Sequence, residues 1–200
     1  MAPAVLRSDA VTVDTSNAPW MTVAHAELGR KVREWQGDDT FTMLLYQAVV
    51  QLRSEELGRP MSERSAQGQA REVVPLGDGD NGRDTWPVTA WCAAFVNWCL
   101  ARSRAPRHGP GTAGAWLRFG TPLPAPVYGC VAVLPPDRSS GSSTGQVAFY
   151  VETKGDVVVL LGGNQGDVVS TVSAPADRVL GYRWPTSFSN ALRGGRGAGG

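Results

Sequence analysis

The chain has 200 residues, 19 Lys and Arg against 18 Asp and Glu, a net charge near +1, three cysteines and two histidines. That length suits one domain with a core of its own, and the balanced charge gives no general field for nucleic acid or an acidic membrane surface. The odd, scattered cysteines without a CxxC pair, and so few histidines, argue against a disulfide framework and a zinc site, and no apolar run reaches the ~18 residues of a membrane span.

Residues 1–18 are small, polar and aperiodic, and are expected to form a flexible arm. The N-terminus has neither the basic start nor the apolar run of a secretory signal, so the expectation is a protein cytoplasmic as made. Trp20, Val23, Ala24, Leu28 and Val32 mark a first amphipathic helix, with Gly29 able to end it. His25 lies in this helix and reads as a surface residue, because nothing pairs with it in sequence. Asp38-Asp39-Thr40 can cap a second helix that carries Phe41, Leu44, Leu45, Ala48, Val49 and Leu52 and stops at Gly58-Arg59-Pro60. Gly77 to Gly82 has the composition of a calcium loop but not its closing Glu or flanking helices, and reads as a loop.

The central stretch is Thr89 to Leu100. Cys92, Phe95, Val96, Cys99 and Leu100 follow steps of 3, 1, 3 and 1, the period of a helix with one largely apolar face. Cys92 stands at its start, where free N–H groups and the dipole favour a thiolate. The alternative is a small buried hydrophobe, the usual fate of a free cysteine. Ala101 to Pro110 reads as a polar turn with a solvated His108, and Thr112 to Phe119 as a short helix with Trp116 and Leu117 inward. The prolines from Gly120 to Pro126 demand an extended chain.

From Val127 the period changes. Cys130 to Leu134 reads as a strand, Val147 to Val151 and Val157 to Leu161 as a hairpin, and Val168 to Val172 and Val179 to Tyr182 as further strands. Helices before an antiparallel sheet make the class α+β. A hairpin symmetric about Gly155 sets Gln146 opposite Asn164, Ala148 opposite Gly162 and Tyr150 opposite Leu160, on one face. The tail from 186 to 200 is rich in Gly and Arg and is expected to be disordered.

Trp91 to Leu100, Trp116-Leu117, Tyr128 to Val133, Gly145 to Tyr150, Leu160 to Gln165 and Leu180 to Pro185, in that order, resemble the bacterial and phage CHAP-like branch of the NlpC/P60 cysteine hydrolases. The likeness spans residues 19–185, with an insertion at about 30–85. It implies a papain-like fold and cleavage of amide bonds in peptidoglycan by a cysteine, a histidine base and a polar orienting residue, without cofactor or metal. It places Cys92 at the nucleophile, Asn164 at the orienting position, and Trp91, Gly145 and Gln165 along the substrate. The histidine position, however, holds Gln146. An amide can hydrogen-bond but cannot shuttle a proton near neutral pH. His25 is on another helix, and His108 lies about 20 Å from Cys92 along a continuous helix. The expectation is a cleft that is catalytically impaired and binds a peptidoglycan stem peptide or a protein partner, reaching the cell envelope by a phage-like, holin or dedicated secretion route. The alternative is an active peptidase or amidase using Cys92.

Overall fold

The computed structural model describes residues 18–31, 34, 91–108, 113–136, 145–166 and 168–185. The arm, the second helix, the calcium-like loop and the tail lie outside them.

Helix α1 is Pro19–Ala26, with proline in its first turn, where the missing N–H costs nothing. It ends in a turn closed by Gly29, whose φ of +85° suits a residue without Cβ. Helix α2 is Trp91–Arg102. Every residue from Trp91 to Leu100 is buried, so α2 is enclosed all round and not along one face. The periodic apolar positions mark only part of that surface; Ala93 and Ala94, small enough for close packing, and Trp98 complete it. A 3-10 helix, Ala113–Arg118, buries Trp116, while Leu117 is only partly buried against the core.

Six strands form one antiparallel sheet: β1 Thr121–Leu123, β2 Val131–Leu134, β3 Gln146–Lys154, β4 Val157–Gly162, β5 Ser170–Pro175 and β6 Gly181–Trp184. Their order is β1-β6-β2-β3-β4-β5, so the last strand slots between the first two. The architecture is therefore α+β. Val131, Val133, Val147, Phe149 and Leu161 form the buried apolar rows, and α2 packs on β3 and β4. The strands expected from Val168 and Val179 begin two residues late, as β5 and β6. Val168 forms only an isolated bridge to Lys31, and the next strand starts at Ser170.

The hairpin register differs from a symmetric one at its tip. The turn is Gly155-Asp156, and Lys154 faces Val157, Thr153 faces Val158 and Glu152 faces Val159. A bulge between Tyr150 and Glu152 then shifts the register by one, restoring Tyr150 opposite Leu160 and Phe149 opposite Leu161. The register counted about Gly155 therefore fails at the tip and holds from Tyr150 back toward the open end.

Candidate active site

Cys92 lies in the first described turn of α2 and is 3 % exposed. Burial pushes its thiol up from the ordinary range, and backbone bonds from Val147, Ala93 and its own residue pull only partly the other way. Burial at Cys92 thus acts against the dipole-favoured thiolate and favours the neutral thiol. Cys99 is raised further, by burial and by nearby Glu27, and burial lifts Cys130 to about 12. What sets Cys92 apart from Cys130 is the bond from the Val147 backbone, which ties it to strand β3 one residue after Gln146.

Gln146 opens β3 opposite Leu134. Its Nε2 donates to the carbonyl of Gly163 at 2.9 Å. The register extrapolated from sequence set Asn164 as its partner; the structure sets the backbone of the preceding residue there instead. The reason is local. β4 ends at Gly162, and Asn164 takes a left-handed φ of +61°, which turns the chain away from β3. Gly163 fits because it has no side chain: a Cβ there would stand 2.3 Å from Cζ3 of Trp91 and 2.8 Å from Cβ of Phe95.

Trp91 is 1 % exposed and packs beneath Gly163. Gly145 is buried with a φ of +82°, and a Cβ there would strike the carbonyl of Leu134 at 2.6 Å. Gln165 accepts a hydrogen bond from Ser170 Oγ at 3.0 Å on its Oε1, and its Nε2 is buried without a partner among the described residues. Gln146 and the Gly163 carbonyl thus meet at the open end of the hairpin, Cys92 reaches the same strand at the Val147 backbone, and Gln165 turns toward Gly162, its Nε2 3.1 Å from where a Cβ would stand.

Neither histidine is among the groups that set the Cys92 thiol. His25 is exposed and shares a 3.2 Å hydrogen bond with the Tyr128 hydroxyl. His108 departs from expectation. The chain doubles back after Arg102, with the Ala105 N–H on the Leu100 carbonyl and the His108 N–H on Asn97 Oδ1 at 3.0 Å. Asn97 is five residues, about 7.5 Å of helix rise, from Cys92. His108 is half-buried rather than solvated, and its ring packs on Trp116 and Phe119. The sequence signal for this strap was Asn97 itself, a polar residue inside an apolar run, only 5 % exposed and in need of a partner.

Gln146 can bind through its amide, which neither takes nor returns a proton at neutral pH, and neither histidine is among the groups given for Cys92. Among the described residues no cluster of three or more His, Cys, Asp or Glu could hold a metal, and no helix is long and apolar enough to cross a membrane. A direct check is alkylation of Cys92 by iodoacetamide, read by mass spectrometry of its peptide in the native protein. The expected rate at pH 7 is well below that of a free cysteine and still rises above pH 9; a fast rate, flat with pH from 6 to 8, would mean a thiolate. No family model matches the chain, and no curated protein does so either.

Proposed function

We propose that this chain is a papain-like domain of the peptidoglycan amidase or peptidase type whose chemistry is silenced by Gln146, and that it acts as a binding module for a cell-wall stem peptide or a protein partner. The observation that carries the reading is the shared start of β3: Gln146 donates to the Gly163 carbonyl, and the Cys92 thiol is bonded to the backbone of Val147, the next residue. Amide hydrolysis at such a site needs the thiol proton removed as sulfur attacks the carbonyl carbon. It then needs a proton delivered to the leaving amine, and a water to hydrolyse the thioester. A histidine at 146 supplies both proton steps; glutamine supplies neither, which costs several powers of ten in rate. A helix against an antiparallel sheet, with cysteine in the first described turn, supports the papain-like reading. So does the intact scaffold around the substituted position.

The test is release of soluble peptides or amines from purified peptidoglycan by the chain as it stands, by Gln146→His, and by Gln146→His with Cys92→Ala. The expected result is release by Gln146→His alone. Release by the chain as it stands, lost on Cys92→Ala, would establish the active alternative with a base outside these residues. Failure of all three, with Gln146→His folded, would remove the hydrolase reading.

A further inference from the structure

His108 is a titratable ring lodged among aromatic rings. It stands edge-on to Trp116 with centroids 5.1 Å apart, and tilted on Phe119 at 5.8 Å; those two rings meet edge to face at 5.0 Å. Its Nε2 is buried and has no hydrogen-bond partner among the described residues. The ring bonds the Ala115 backbone, a bond that falls to Nδ1–H and leaves Nε2 as the bare nitrogen of a neutral imidazole. Protonation places a second N–H at that buried position, where no acceptor stands among the described residues.

The surrounding charges do not favour the cation. Arg118, on the 3-10 helix, acts on the ring with the same sign. α2 presents Asn97, which is uncharged. The strap's own charged residues are Arg104 and Arg107, again cationic. Burial and Arg118 accordingly lower the proton affinity of His108, against the Ala115 bond. The opposing force is attraction between an imidazolium and the indole face, about 0.5–2 kcal/mol; the edge-on geometry at Trp116 does not optimise it.

We infer that His108 is a pH-sensitive latch: neutral, it holds the 103–108 strap, bonded to α2, against the 3-10 helix, and protonated it releases that contact, loosening the candidate site through Ala113 and Gly145. Ala113 begins the same 3-10 helix as Trp116. Its Cβ lies 3.4 Å from where a Cβ on Gly145 would stand, and Gly145 precedes Gln146. The latch stands on its own geometry; its consequence for the site rests on the functional reading above.

The sign follows from linkage. A histidine whose folded pKa lies below the unfolded value of about 6.5 binds fewer protons when native. Its contribution is full at neutral pH, is lost as pH falls through 6.5, and is wholly lost below the folded value.

The test is an NMR titration of the full chain from pH 8 to 4.5. With two histidines in the sequence, His108→Phe assigns the His108 C2–H signal by its disappearance, and His108→Gln serves where Phe does not fold. The expected result is a His108 midpoint below 6.5, shared by the Trp116 indole and by the Ala113, Gly145 and Gln146 amides, and absent from the non-titrating variant. A midpoint at or above 6.5, or a Trp116 signal that does not move with it, overturns the latch. A moving Trp116 with still amides at Gly145 and Gln146 overturns its link to the site. Peptidoglycan cleavage does not enter this measurement, so failure of the hydrolase reading leaves it interpretable.

Discussion

Replacing Trp20 with alanine is expected to lower stability by about 3–5 kcal/mol, the range for deleting a buried large aromatic. Trp20 is 0 % exposed. Its ring meets Trp184 edge to face with centroids 5.1 Å apart, and its Nε1–H donates to the Gly129 carbonyl at 2.7 Å. One side chain thus joins α1 to the last strand and to the loop that feeds β2. Trp20→Ala opens a cavity and also strands a buried carbonyl. Trp20→Phe keeps most of the packing and loses only the bond, so its expected cost is about 1–3 kcal/mol. Guanidinium unfolding followed by circular dichroism measures both. Since domains of this kind have about 5–15 kcal/mol in all, the alanine variant should show a large drop in midpoint. A change within about 0.5 kcal/mol, the scatter of ordinary surface substitutions, would mean that α1 is not part of the cooperative core.

Gly163→Ala is the second large effect, and it works by the opposite mechanism. Gly163 has no positive φ, so alanine suits its backbone; the cost is purely steric. The added carbon would stand 2.3 and 2.6 Å from two ring carbons of Trp91 and 2.8 Å from Cβ of Phe95. Trp91 and Phe95 are both on α2 and nearly fully buried, so neither can swing away. The helix or the turn must shift, at an expected cost of about 1–3 kcal/mol, the usual range for overpacking. Gly114→Ala is the control, because nothing lies within 4 Å of its added carbon and its φ is not positive. Thermal unfolding should separate the two by roughly 2–4 °C per kcal/mol in a chain of this size. Combining Gly163→Ala with Trp91→Leu should recover part of the loss; strict additivity would show that the Trp91 contact is not the cause. The same shift would move the Gly163 carbonyl away from Gln146, so Gly163→Ala should also weaken any ligand held at that end of the hairpin.

Much of this molecule was legible one element at a time. The 3.6-residue spacing from Cys92 to Leu100 foretold α2, and the change of period after Val127 foretold the strands, because local side-chain direction is set by local backbone geometry. Gly29 and Gly155 marked real turns for the same reason, each with positive φ. Where the reading went astray, a partner distant in sequence was responsible. His108 sits in a Gly/Pro-rich stretch that reads as solvated; its burial needed Trp116 and Phe119 brought over it and Asn97 waiting on α2. The Cys92 thiolate was argued from a helix end alone, and enclosure of α2 on every side raises the cost of charge there.

By itself, the sequence determined the α+β class, the places of α1, α2 and most strands, and the identity of residue 146: glutamine there is a matter of chemistry that no folding can change. Only the tertiary structure decided what Gln146 touches. A bulge near Val151 adds a residue to one strand of the hairpin, and a left-handed Asn164 turns the other strand aside. Together they give the Gln146 amide the Gly163 carbonyl as its partner. Gly163 itself lies against Trp91 and Phe95 of α2, and such long-range contact leaves no period in the chain.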